Sequence, residues 1–233
     1  VFGHFFVKEG LHTRRSAGQK KVWALIVVCM PSRAVHLEPL VDMTTSAFMN
    51  AFTRFTAVRG MPKTIRSDNG SNFLGAIGEM KGISTKDITR RFLQQGIEWV
   101  LNPPSASHMG GAWERKIGSV RRVMEASLVL VGKRVLTYDE LATILLAAAD
   151  VVNSTPLWAV SADPNDPLPL APNELLRPRD GFASPPPEEY SEADLTRYGK
   201  LRYRKAQYLI DHFWCRWREE YVHSLTIRRK WTQ

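Results

Sequence analysis

The chain has 233 residues, of which 44% are hydrophobic and 24% charged, and this ordinary globular composition excludes a wholly disordered protein. The longest apolar run, VWALIVVCM, is only as long as a strand, so the composition also argues against a membrane-spanning protein or a membrane partner. The formal net charge of +9 favours a polyanionic partner, nucleic acid above all, over a surface that is basic for solubility alone.

The N-terminal part is predicted to form a three-stranded meander and then a helix. Segments rich in apolar and β-branched residues predict the strands at residues 2–8, 20–30 and 33–41. Thr44 or Thr45 is a suitable N-cap for the helix, and Gly60 ends it. The helix should bury one stripe of three phenylalanines: Phe48, Phe52 and Phe55.

The following part alternates between strands and helices. Strands are predicted at residues 63–68 and 97–102, and a helix at residues 86–95. Pro103-Pro104 and Gly110-Gly111 bracket a connection that we expect to be mobile. An amphipathic helix begins at Gly111, and an almost wholly apolar helix, which should be buried, covers Tyr138 to Asn153. The order β-β-β-α-β-α-β-α-α describes an α/β protein with a mixed sheet and helices on its faces.

Composition divides the chain into three parts. Residues 1–155 contain the predicted strands and should form the core domain. Residues 156–190 contain most of the prolines, which predicts an extended connection over the surface. Residues 191–233 are basic and aromatic and predict one or two helices, whose tryptophans we expect to pack against the core or a second protomer.

Two carboxylates are the candidate chemical groups. Asp68 ends a predicted strand, and Glu114 lies in the first turn of the amphipathic helix. If the strand end and the helix share a cleft, the two oxygen ligands suit Mg²⁺, which binds few carboxylates and keeps positions for water and phosphate. The alternative is structural: Asp68 belongs to a tight turn with Asn69 and Gly70, and Glu114 complements the helix dipole.

Basic residues on the polar side of the same helix are candidate DNA contacts, because successive turns of a helix can follow a phosphate backbone. The alternative is a solvated basic face. Asn69 and Asn72, beside Asp68, either bind phosphate or a metal-bound water or satisfy the turn backbone. The candidate helix residues are Arg115, Lys116, Arg121 and Arg122.

Four dissimilar blocks follow one another along the chain: RAVHLEPL, TIRSDNGSNFLGA, NPPSASHMGGAWERKIGSVRRVM and FWCRWREEYVHSLTIRRKW. Their sequences and their order resemble those of the integrases of BEL/Pao LTR retrotransposons. The resemblance implies an RNase H-like core with a mixed five-stranded sheet and an Asp, Asp, Glu triad that holds two Mg²⁺ or Mn²⁺ ions. It assigns the second acid to Asp68 and the third to Glu114.

The resemblance also implies the activity and its surroundings. The expected reactions are 3′-end processing of element DNA and its strand transfer into target DNA, so double-stranded DNA is the partner. Further domains are expected to flank this segment, and the protein is expected to form a homo-oligomer. It would act in the nucleus after a cytoplasmic particle stage. Ser105 and His108 would lie in a loop that approaches DNA, although a solvent-exposed loop histidine is the simpler interpretation.

One departure from the family pattern affects the expected activity. The first acid of the triad would immediately precede Val1, so this segment, interpreted as a piece of a longer protein, is expected to be almost inactive alone. The smaller departure is His4, where the family usually has proline. Two alternatives stay open: a domesticated or inactive derivative that binds DNA or protein without cutting, and an RNase H-type nuclease.

Overall fold

The protein is described by a computed structural model that covers residues 2–8, 18–67, 85–101, 111–130, 136–157, 170–176, 188–195 and 202–226. Five strands occur in these ranges: β1 (Phe2–Lys8), β2 (Gln19–Val28), β3 (Val35–Leu40), β4 (Thr64–Ser67) and β5 (Glu98–Leu101). The first three form an antiparallel sheet in the order β1-β2-β3, which confirms the predicted meander.

Helices pack around these strands, so the mixed α/β fold class is confirmed. They are α1 (Thr45–Arg59), α2 (Thr85–Gln94), α3 (Gly111–Val129), α4 (Tyr138–Asn153), α5 (Pro172–Leu176) and α6 (Arg202–Thr226). A short 3₁₀ helix, Glu192–Leu195, precedes α6. Within these ranges, every helix is too short or too polar to cross a membrane.

The three-stranded sheet is covered on both faces because its strands alternate between two apolar sets. Val22 and Ala24 of β2 and Leu37 of β3 belong to a core that also contains residues of α3, α4 and α6. Leu25 of β2 faces the opposite side and packs with Leu40 of β3 and Ala51 of α1. All six residues of β3 are therefore buried.

α1 begins and ends where its sequence predicts. The Thr44 side chain caps the helix by accepting a hydrogen bond from the Ala47 amide at 3.2 Å. Gly60 follows the helix with φ of 81°, a conformation that favours glycine. Phe52 and Phe55 pack with Phe92 of α2, and this cluster ties α1 and α2 to β4 and β5.

The free edge of β3 is closed by one side chain. Asn153, at the end of α4, is fully buried. Its amide nitrogen donates to the Val35 carbonyl at 2.8 Å, and its amide oxygen accepts from the Val35 N–H at 2.7 Å. The side chain thus replaces a neighbouring strand at this position.

The strands and the proline-rich segment differ from the prediction in two details. In the part of the chain that is described, β4 and β5 form a parallel pair separate from the antiparallel sheet, so one five-stranded sheet is not confirmed. Within residues 156–190, α5 is a helical turn whose Pro172 and Asn173 are buried. Asn173 donates to the Asp150 carboxylate at 3.0 Å and to the Ser154 hydroxyl at 2.9 Å, which holds this turn on α4.

Candidate functional site

The site is framed by the ends of two parallel strands. β4 pairs with β5 from Thr64 opposite Glu98 to Ser67 opposite Leu101, so both strands end side by side. The indole N–H of Trp99 donates to the Ser67 hydroxyl at 3.0 Å and fixes this register. Asp68 directly follows β4 in the sequence.

The orientation of β4 follows from the aromatic cluster beneath it. Ile65 packs against the cluster of Phe52, Phe55 and Phe92, and Trp99 of β5 lies 5.7 Å from Phe92 between ring centroids. Because side chains alternate along a strand, Arg66 points to the other side and is exposed. Burying these apolar residues therefore holds the two strand ends together.

Glu114 is a predicted site residue that lies within the described ranges. It lies in the first turn of α3 and is exposed. The opposite side of the helix is anchored in the core through Val120 and Met124, both fully buried. A rigid helix therefore presents the carboxylate to solvent, where its hard oxygen atoms fit a Mg²⁺ or Mn²⁺ ion.

The four predicted basic residues on α3 have different surroundings. Arg115 is exposed, Arg121 pairs with Glu125 at 2.9 Å on the same helix, and Arg122 pairs with Glu220 of α6. Lys116 is half-buried, and its ammonium lies 5.4 Å from the ring centroid of Trp217. Burial lowers the pKa of Lys116 to about 8.

Five predicted site residues lie outside the described ranges: Asp68, Asn69, Asn72, Ser105 and His108. The approach of Asp68 to Glu114 therefore stays a prediction. Within the described ranges, His, Cys, Asp and Glu side chains form no group of three that could hold a metal ion.

Two contacts near the site were not predicted from the sequence. The Trp99–Ser67 hydrogen bond joins the two strands, and Trp217 lies behind the first turns of α3. Each joins residues far apart in the chain. The alternation of side chains along β4 was the one local signal. It would have identified Arg66, two residues before Asp68 in the sequence, as an exposed cation.

His36 and Glu38 of β3 have the structural role expected of buried polar residues. Burial raises the pKa of Glu38, but the bonds from His36 at 3.2 Å and Arg54 at 2.6 Å outweigh it and lower the pKa below its ordinary value. The carboxylate thus ties α1 to β3.

Comparisons with known proteins give one family and several structures. The sequence model of a family of unknown function (DUF5641) matches residues 201–233. No curated protein matches the chain.

The solved structures that are similar to this chain include three integrase structures. The HTLV-2 integrase catalytic core domain in complex with magnesium is similar in its trimeric form, at 17% identity and a TM-score of 0.42 over 75% of this chain and 96% of that one. Its dimeric form is similar at 17% identity and a TM-score of 0.40, over 67% of this chain and 89% of that one. The simian T-cell lymphotropic virus intasome, in complex with PP2A regulatory subunit B56 gamma, is similar at 16% identity and a TM-score of 0.47, over 81% of this chain and 60% of that one.

Proposed function

We propose that this chain is the catalytic core of a BEL/Pao-type retrotransposon integrase. On this proposal it trims the 3′ ends of element DNA and transfers them into target DNA. It is supported by the four sequence blocks and by the order of strands and helices around the candidate acids. Assembly as a homo-oligomer and action in the nucleus belong to the same proposal.

The observation that carries the proposal is the parallel pairing of β4 with β5. Ser67 and Leu101 lie opposite each other, so β4, which Asp68 follows in the sequence, and β5, which precedes α3, end side by side. The exposed Glu114 stands in the first turn of that helix. In sheets of this kind, ligands bind beyond the carboxyl ends of the strands, which favours a shared site for Asp68 and Glu114.

Oxygen ligands define the chemistry that such a site can support. Asp68 and Glu114 would hold the metal together with the first acid of the triad, which the family resemblance assigns to the position before Val1. Two bound Mg²⁺ or Mn²⁺ ions would supply activation of the attacking oxygen and stabilisation of the leaving oxygen. The protein's own share is to hold the carboxylates in place on β4 and α3.

Basic and polar side chains around the acids would hold the DNA. Arg122 is exposed, and a surface ion pair such as that with Glu220 contributes at most about 1 kcal/mol, so a phosphate can replace the carboxylate. Lys116 would act from a half-buried position. The proposed contacts are Asn69, Asn72, Ser105, His108, Arg115, Lys116, Arg121 and Arg122.

A strand-transfer assay tests the proposal. Labelled terminal-repeat DNA and a plasmid target are incubated with Mg²⁺ or Mn²⁺ and either the chain itself or the chain with Asp added before Val1. We expect joining mainly from the extended chain. Asp68→Asn or Glu114→Gln should lower joining by at least about 100-fold, because a metal ligand is lost.

Asp139→Asn is the matched control. Asp139 is also an exposed acid in the first turn of a helix, so its loss reproduces the dipole effect of Glu114→Gln without touching the proposed site. Equal activity in the Glu114→Gln and Asp139→Asn proteins would overturn the proposal. Salt-sensitive DNA binding without metal-dependent cleavage would favour an inactive derivative. Degradation of an RNA–DNA hybrid without joining of DNA ends would favour an RNase H-type nuclease.

A further inference from the structure

The segment matched by the family of unknown function begins with a helix that is part of the core. α6 has a stripe of buried residues at helical spacing: Ala206, Leu209, Phe213 and Trp217, which are 3%, 0%, 0% and 5% exposed. They belong to the same apolar cluster as Val120 and Met124 of α3. α6 is therefore packed directly against the helix that carries Glu114.

Side-chain contacts join α6 to α3 at three levels. The Lys116 ammonium lies over the Trp217 ring, Arg122 pairs with Glu220, and the Ser127 hydroxyl lies 3.2 Å from Nδ1 of His212. The first contact is at the beginning of α3 and the last is near its end. α6 thus supports α3 along most of its length.

The Trp217 contact lies behind the turn that presents Glu114. Successive residues of a helix are rotated by about 100°, so Lys116 points roughly opposite to Glu114. Glu114 is exposed, whereas Lys116 is half-buried against the indole. Phe213 stacks on Trp217 with an angle of 6° between the rings and fixes the indole from within the core.

We infer that Trp217 is a positioning residue that, through Lys116, sets the place of the first turns of α3 and hence of the Glu114 carboxylate. This inference rests on the proposed function for its consequence in catalysis. It assigns a role to a residue in the middle of the segment that matches the family of unknown function. Trp217 is not among the residues proposed to hold the metal or the DNA.

Amide hydrogen exchange in the full chain tests the contact directly. The amides of residues 115–118 donate the first hydrogen bonds within α3, so their exchange reports on its first turns. We expect Trp217→Leu to accelerate their exchange at least tenfold. Exchange at residues 124–128, next to the Ser127–His212 contact, should change less than threefold, and Trp217→Tyr should restore most of the protection at residues 115–118.

Trp214→Leu is the matched control. Trp214 lies on the same helix and is half-buried, with the Arg218 guanidinium 4.8 Å from its ring centroid, so its loss should leave residues 115–118 protected. If Trp217→Leu does not fold, Trp217→Phe and Lys116→Ala replace it. Each should accelerate amide exchange at residues 115–118 at least threefold. Unchanged exchange at residues 115–118 in the variants that fold would overturn the inference.

Activity is measured separately in the chain with Asp added before Val1. Trp217→Leu should lower the joining rate at saturating DNA at least tenfold, a measurement that does not depend on the DNA contact proposed for Lys116. Accelerated exchange together with an unchanged joining rate would overturn the catalytic consequence. A protein that never joins DNA but shows the exchange effect would contradict the proposed function and support the Trp217 contact.

Discussion

Single polar side chains inside the core join elements that are far apart in the chain. Asn153 satisfies both backbone groups of Val35 at the edge of β3. Ser127 is fully buried in α3, and its hydroxyl meets the imidazole of His212 from α6. Because an unpaired buried polar group costs about 1–3 kcal/mol, such contacts select one packing of the helices on the sheet.

His212 should make stability depend on pH. Burial and the nearby Arg216 lower its pKa, an effect that Asp211 and Glu219 oppose. The unfolded chain takes up a proton near the ordinary value of 6.5, whereas the folded protein does so only at lower pH. The stability that His212 contributes is therefore fully present above pH 6.5 and is lost as the pH falls through the folded pKa.

We expect His212→Gln to lose less stability than the parent protein between about pH 7 and about pH 5.5, because glutamine does not titrate and still offers a hydrogen bond to Ser127. The measurement is urea unfolding of both proteins at a series of pH values. Parallel losses of the free energy of unfolding would contradict the role of His212.

At the scale of elements, aromatic packing positions the candidate site. Phe52 of α1 lies 4.8 Å from Phe92 of α2 between ring centroids, and Phe92 lies 5.7 Å from Trp99 of β5. The cluster also includes Ile65 of β4. The two strands that lead to the proposed acids are thus supported by α1 and α2.

We expect Phe52→Ala to lower the free energy of unfolding by about 3–5 kcal/mol, because it leaves a cavity in this cluster. Val58→Ala is the control on the same helix, since Val58 is 68% exposed and should change stability by about 0.5 kcal/mol or less. Chemical denaturation measures both. Similar losses in the two variants would show that the cluster contributes little.

For the whole molecule, α6 is a part of the core. Leu209 and Phe213 are fully buried in the cluster that contains the sheet, α3 and α4. Lys205 Nζ lies 3.5 Å from the Glu140 carboxylate, and both side chains are buried. The boundary of the matched family at residue 201 therefore does not mark a structural boundary.

We expect a chain without residues 201–233 to lose the cooperative thermal unfolding transition of the full chain, because α3 and α4 would expose the apolar surface that α6 covers. Circular dichroism during heating measures this. A shortened chain with an unchanged transition temperature would show that the segment folds independently.

Much of the secondary structure was predictable because its signals are local. Tyr138 to Asn153 is helical as predicted, and Thr44 and Gly60 bound α1. The α5 turn was not predicted, because its prolines suggested an extended chain, whereas burial of Pro172 and the bonds of Asn173 favour a helical turn. The single five-stranded sheet came from the family resemblance, and no local pattern determines strand pairing.

The sequence by itself determined that Glu114 opens the polar face of a helix, because helical periodicity is a property of neighbouring residues. It also predicted a strand that ends at Asp68, and the structure describes this strand as far as Ser67. Only the tertiary structure decided that Ser67 lies beside Leu101 and that Trp217 lies behind Lys116. Such contacts depend on which apolar faces are buried together, and this is a property of the whole packed chain.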